Sequence, residues 1–322
     1  MKPPQTLQEA ILFFSNPENC REFMVTIRWL DGKVRCPRCN SKRVTYLNNA
    51  RVYKCNEKHD RQKFSLKVGT VMEDSAIPLE KWLPAVWLLA NDKNGISSYE
   101  LHRTLGVTQK SAWFMLHRIR TAMRTKTFEK LGSGGGPVEI DETFVGGQKK
   151  FMHGDRKLRL EQNGWMSNRT VVMGFLDRDL RQVRAKIVPN IKREVLQNEV
   201  LNEIAYGSKV YSDQAVGYDN LHKTFVHEVV DKVESYVNGQ VHVNSLENFW
   251  SLLKRGLKGT YIAVEPFHLQ RYVDEQIFRY NNRATKDNPL NDSDRFMLAL
   301  SQIVGCRLTY SELTGKVGET SF

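Results

Sequence analysis

Two groups of residues in this chain have types and spacings that do chemistry. The first is Cys36-Pro37-Arg38-Cys39, a gap of fifteen residues, then Cys55 and His59. A CxxC turn brings two thiolates to one ion, and a thiolate and an imidazole from the next hairpin complete a tetrahedral shell. Four protein ligands leave no open position, so a zinc held this way is structural and supplies much of the folding free energy of so small a piece. A CxxxH pair in place of a second CxxC leaves open a reduced thiol pair with His59 at the surface. The remaining cysteines, Cys20 and Cys306, read as small buried hydrophobes.

The second group is acidic. Asp141 ends the apolar run of VEIDETF, Asp213 ends that of KVYSDQA, and Glu247 lies in NSLENFWSLLKRGLK. Carboxylates on rigid strands and a facing helix can share a pair of metal ions. One ion then activates water or a 3′-hydroxyl, and the other stabilises the leaving oxygen of an in-line displacement. Lys254, seven residues after Glu247 and on the same helical face, is suited to hold a phosphate. Glu139 and Glu142 compete with Asp141, and strand alternation puts Glu139 on the side of Asp141. Asp219 competes with Asp213 from beyond its strand.

The elements that must position these acids follow from periodicity. At helical pitch Leu246, Phe249, Trp250, Leu253 and Leu257 share one arc, and Asn244, Glu247, Asn248, Ser251, Lys254, Arg255 and Lys258 share the other. Strands are expected at 138–144, 170–177, 182–189, 209–212 and, more weakly, 228–230. Helices are expected at 192–206, 244–258 and 268–283. Residues 145–169 read as a polar, basic loop. Strands followed by mixed helices and strands indicate an α/β domain with a mixed sheet.

Upstream, residues 7–30 read as helix with a break at Asn16-Pro17, and short strands surround the cysteines. ISSYELHRTLGVTQKSAWFMLHRIRTAM reads as two helices joined at Gly106, with Thr108 capping the second. The outer stripe of that second helix is basic and aromatic. Lys110, Trp113, His117 and Arg118 are its candidate DNA contacts, joined by Arg255 and Lys258 on the later helix. The competing reading is a plain helical hairpin with a solvated face. The run Gly132-Ser133-Gly134-Gly135-Gly136-Pro137 is the clearest linker.

The bulk numbers agree with a nucleic-acid partner. The chain has 322 residues, 40% hydrophobic and 10% aromatic, enough for two or three domains. The net charge of +12 and pI near 9.4 favour a polyanion. No apolar run approaches the roughly 18 residues of a membrane span, and MKPPQTLQEAILFF lacks the form of a signal peptide. Five cysteines, three of them clustered, point to a reducing cytosol rather than to disulfides.

The segments RWLDGKVRCPRCN, KFSLKVGTVMEDSAIPLEKWLPAVWLLANDKNGISSYELHRTLGVTQKSAWFMLHRIR, VEIDETFVGG, VYSDQAVGYDNL and HVNSLENFWSLLKRGLKGTYIAVEPFHLQRYVDEQIFRYNNR occur in this order over nearly the whole chain. Together they resemble bacterial insertion-sequence transposases of the DDE class with an N-terminal zinc ribbon, the group related to eukaryotic Merlin elements. The resemblance implies an RNase H-like catalytic fold, structural Zn²⁺, and Mg²⁺- or Mn²⁺-dependent cutting and joining of DNA. It assigns the three catalytic, metal-binding acids to Asp141, Asp213 and Glu247, with Lys254 following. Some relatives are described with an Asn as the third residue, a place Asn244 keeps open here. The loop QKKFMHGDRKLRLEQNGW departs from the family pattern and offers basic residues to DNA.

The expected organisation is an N-terminal helical segment (1–30), a zinc ribbon (31–75), a helix-turn-helix (76–128), a Gly-rich linker (129–137), an RNase H-like catalytic domain (138–290) and a C-terminal tail (291–322). The expected function is a cytoplasmic, nucleoid-associated transposase. It would bind terminal inverted repeats, cleave 3′ ends and transfer strands to target DNA, as at least a dimer when bridging two ends. Two rivals remain: a DNA-binding regulator with an inactive nuclease-like domain, and an RNase H-like nuclease that cuts by DNA structure.

Overall fold

The computed structural model describes residues 2–124, 129–146, 158, 169–213, 216–218, 221–230, 242–286 and 288–315. They divide into two units, Met1–Arg124 with Asn282–Phe322, and Thr125–Asn281.

In the first unit α1 (Leu7–Phe14) ends where Asn16 caps α2 (Pro17–Arg28), with Pro17 in the first turn. That position tolerates proline because its missing N–H has no helical partner anyway. Three short antiparallel strands form the ribbon: β1 (Val44–Leu47), β2 (Val52–Cys55) and β3 (Lys63–Phe64). Helices α3 (Leu79–Asn91), α4 (Ser98–Leu105) and α5 (Gln109–Ala122) follow. Gly106 ends α4 at φ 59, and the Thr108 side chain caps α5 through the N–H of Ser111, as the sequence suggests.

The segment read as a C-terminal tail is part of this unit. Its helix, which we label α9 (Asp292–Ser301), carries Phe296, fully buried against Phe14, Phe23 and Trp87 with ring centroids 5.0–5.9 Å apart. A last short helix, α10 (Tyr310–Thr314), follows. The aromatic residues decide this: Phe14, Phe23 and Trp87 need an apolar partner, and Phe296 is it.

The second unit is a five-stranded sheet: β4 (Val138–Gly146), β5 (Arg169–Asp177), β6 (Gln182–Val188), β7 (Lys209–Asp213) and β8 (Val226–Val230). Their order is β6-β5-β4-β7-β8. β4 runs antiparallel to β5 and parallel to β7, and β7 parallel to β8. This is the mixed, RNase H-like sheet expected. The helix α6 (Arg193–Glu203) precedes β7. After β8 come α7 (Asn244–Gly256), a π-helical turn (Leu257–Tyr261) and α8 (Pro266–Asn281).

Alternation along β4 gives the sheet two cores. Val138 and Ile140 pack with Leu196, Val200 and Tyr218, while Val172 and Leu176 pack with Leu246, Phe249, Trp250 and Leu253 of α7. The glycine run is not a free linker. Leu131 is buried and bridges Ile204, and the Gly132 N–H donates to Asp177 at 2.8 Å. At Gly132 φ is 79, and a Cβ would lie 2.5 Å from the Ser208 hydroxyl, so glycine serves close packing there.

Candidate functional site

The ribbon brings its four ligands together. One donor atom each from Cys36, Cys39, Cys55 and His59 lies within 4.8 Å of the others. The Cys36 Sγ is 3.4 Å from His59 Nε2, and Cys39 Sγ is 3.6 Å from Cys55 Sγ. Burial pushes the Cys36 thiol up, but the N–H groups of Cys39 and Arg38 outweigh it and leave it at about 7. His59 Nδ1 faces the Asp60 carbonyl at 2.7 Å, a contact that as a donor turns Nε2 toward the thiols. Three sulfurs and one imidazole in this arrangement fit zinc.

In the second unit, Asp141, Glu142 and Asp213 each offer an oxygen, and these lie within 4.8 Å of one another. Asp141 faces α7 from mid-strand at 7% exposure. Asp213 ends the neighbouring parallel strand, and its Oδ1 is buried without a hydrogen-bond partner. A buried carboxylate oxygen left without a donor is costly unless a cation or ordered water meets it. Hard oxygen donors of this kind fit Mg²⁺ or Mn²⁺.

Glu142 points to the other side of β4 and accepts a hydrogen bond from Tyr218 Oη. Burial, with the charges of Asp141 and Asp213, raises its carboxyl to about 7 despite that hydrogen bond. Burial and Glu142 together hold the Tyr218 hydroxyl well above its ordinary range. Glu247 does not join the gathered oxygens: it is exposed in the first turn of α7, as is Asn244. Asp219 lies outside the described residues.

Glu139, read from sequence as a rival to Asp141, instead holds α7 in place, together with Arg178 and Trp250. The N-terminus of α7 has no side-chain cap of its own. The fully buried Glu139 supplies one from β4, accepting from the N–H groups of Ser245 at 3.1 Å and Leu246 at 3.0 Å. Its other oxygen pairs with Arg178 at 2.6 Å, and Arg178 also reaches the His242 carbonyl at 2.7 Å. One turn along, Trp250 Nε1 donates to Asp141 Oδ2 at 3.0 Å. Beyond α7, Tyr261 Oη donates to the buried Glu275, which also pairs with Arg279, anchoring the π-helical turn.

Residues 134–281 match the ISXO2-like transposase domain, and residues 15–59 match the transposase zinc-ribbon domain. Over 259 residues, 76% of this chain and 84% of the relative, the chain is 30% identical to "Uncharacterized protein in transposable element ISH50" of Halobacterium salinarum. The chain belongs to the ISXO2-like, DDE-class transposase family. A solved assembly, the simian T-cell lymphotropic virus intasome in complex with PP2A regulatory subunit B56 gamma, aligns at TM-score 0.31 and 11% identity. That alignment covers 66% of this chain and 74% of that one.

A cationic surface adjoins the acids. Lys254 lies close enough to Asp141 to feel its charge. Burial lowers the Lys254 ammonium, Lys258 and Arg169 lower it further, and Asp141 opposes them. Arg169 opens β5 and was not singled out from sequence, because it read as the end of a basic loop. Arg255 and Lys258 are exposed. The loop QKKFMHGDRKLRLEQNGW lies, apart from Leu158, outside the described residues.

The outer stripe of α5 needs correction. His117 is 0% and Arg118 5% exposed, so neither can meet a DNA groove. Arg118 donates to the carbonyls of Leu308 at 3.1 Å and Glu73 at 2.7 Å, tying the C-terminal segment to the turn before α3. That segment covers the face read as solvated. Tyr310 packs edge-on to Phe114 at 5.7 Å, with Lys110 over its ring at 4.9 Å. Lys110 stays exposed, and Trp113 is half-buried against His117. Among the described residues no helix is long and apolar enough to cross a membrane.

Proposed function

We propose that this transposase binds the terminal inverted repeats of its insertion sequence, cleaves the 3′ ends and transfers them to target DNA. The observation that carries the catalytic part is the buried Oδ1 of Asp213, without a hydrogen-bond partner, beside the Asp141 carboxylate. Asp141 and Asp213 would hold Mg²⁺ or Mn²⁺, which when bound supplies Lewis-acid stabilisation of charge on the scissile phosphate. Family position gives the third place to Glu247, with Asn244 one turn earlier, and Glu142 is the rival that geometry favours.

Lys254 binds a phosphate oxygen, and Lys258, Arg255 and Arg169 extend its positive surface along the DNA backbone. Trp250 and Glu139 keep α7 seated so that these cations and Asp141 hold one geometry. The ribbon and Lys110 with Trp113 contribute to end recognition. Bridging two ends calls for at least a dimer, working on DNA in the cytoplasm.

The test is Asp213→Ala in the full-length, zinc-loaded protein, with duplexes carrying the element's ends. End binding should persist while Mg²⁺-dependent nicking and strand transfer are lost. Nicking by the variant at the wild-type rate would sink the assignment. Parallel Glu142→Gln and Glu247→Gln variants identify the third ligand as the one whose loss matches that of Asp213→Ala. Cleavage directed by DNA structure, indifferent to the repeat sequence, would favour a nuclease instead.

A further inference from the structure

Asp141 reaches its place from the middle of β4, opposite Gly174 of β5. The only glycine in the RTVVMGFLD strand thus sits beside the first catalytic acid. A Cβ on Gly174 would lie 2.6 and 2.7 Å from Cζ2 and Cη2 of the Trp250 indole, and 3.2 Å from Leu246 Cδ2. Real side chains do not approach so closely, so the bare backbone at Gly174 is the space the indole occupies. With the ring lying there, Nε1 donates to Asp141 Oδ2 at 3.0 Å in a buried setting.

We propose that Trp250 is a positioning residue for the cation site: its indole N–H fixes the orientation of the Asp141 carboxylate, and Gly174 provides the opening that makes this possible. The inference rests on the metal reading of Asp141 and Asp213. A carboxylate on a strand keeps two side-chain rotations, and a ligand must lose both to bind a cation. A neutral N–H donor holds one oxygen and stops those rotations without adding a positive charge to repel the cation. A lysine or arginine at the same point would compete with the metal. The ring is itself immobilised: Phe249 packs edge-on to it at 5.1 Å, and Glu139 fixes the first turn of α7. The apolar arc of α7 thus carries a polar task on one of its core residues. Helical periodicity by itself assigns Trp250 to the core alone.

The experiment uses full-length, zinc-loaded Trp250→Phe, which keeps an aromatic ring and loses the N–H. Mn²⁺ binding is read by the loss of the free-ion signal in electron paramagnetic resonance. The Mg²⁺ concentration giving half-maximal end cleavage is read alongside it. Outer partners of metal ligands typically change affinity by about 10- to 100-fold. Both readings should therefore rise at least tenfold, with circular dichroism of the cation-free variant unchanged. Gly174→Ala, which moves the ring and leaves every donor in place, should shift both readings the same way. Unchanged Mn²⁺ affinity in Trp250→Phe, where Asp213→Ala abolishes binding, overturns the inference and leaves the metal reading standing. A fall in cleavage rate with no shift in cation requirement also overturns it. Wild-type protein that takes up no Mn²⁺ at all overturns both.

Discussion

Replacing Glu142 with Gln should change the pH dependence of stability in a direction set by the geometry. The Glu142 carboxyl titrates at about 7 in the fold, against an ordinary value of 4.5. The folded state therefore holds the proton more tightly than the unfolded chain. The contribution of Glu142 to the stability of the cation-free protein falls as pH rises from about 4.5 to about 7, then levels off. At about 1.4 kcal/mol per pH unit, that interval amounts to about 3 kcal/mol. Gln carries no charge and keeps an acceptor for the Tyr218 hydroxyl. Glu142→Gln should match the wild type near pH 4.5, gain about 1 kcal/mol or less by pH 5, and gain about 3 kcal/mol at pH 8.

The assay is urea unfolding in Mg²⁺-free, zinc-containing buffer across pH 5 to 8, taking the difference between the two proteins at each pH. Groups common to both cancel in that difference. Adding Mg²⁺ should shrink the gap at pH 8, because a cation beside Asp141 and Asp213 offsets the charge of Glu142. A difference that stays flat from pH 5 to 8 would refute the reasoning, since burial and neighbouring carboxylates would then not be acting on Glu142.

Four further outcomes are expected. Arg118→Ala should lower stability by about 2–4 kcal/mol in urea melts, because it strips buried carbonyls of a charged donor. Lys110→Ala should leave stability within about 0.5 kcal/mol and weaken DNA binding with a shallower salt dependence. Cys39→Ser, or zinc chelation, should unfold the Cys36–Phe64 hairpins while the second unit keeps its strand signal, read by hydrogen exchange. Glu139→Gln should cost about 3 kcal/mol or more by leaving Arg178 short of its anion and weakening the α7 cap, and exchange of the Ser245 and Leu246 amides should accelerate.

Spacing along the chain was enough to pick out the cysteines and histidine that the ribbon gathers, the strand acids and the mixed sheet, for a common reason. Each is a local signal: CxxC spacing, alternation, or an apolar run ending in a carboxylate. The family motifs added the order of the acids for the same reason, since each motif is a short contiguous segment. Tertiary structure decided what those residues touch. Arg118 and His117 look like an outer stripe until Leu308 and Tyr310, nearly two hundred positions later, cover it. The glycine run looks like a linker until Asp177 and Ser208 close on it. Trp250 looks like core until Gly174 lets its ring lie against Asp141. These contacts depend on which faces meet after the sheet is assembled, and a pattern read along the chain carries no information about the partner across it. The third acid belongs to that second class: Glu247 follows from motif position, whereas the fold gathers Glu142 with Asp141 and Asp213 and leaves Glu247 exposed in the first turn of α7.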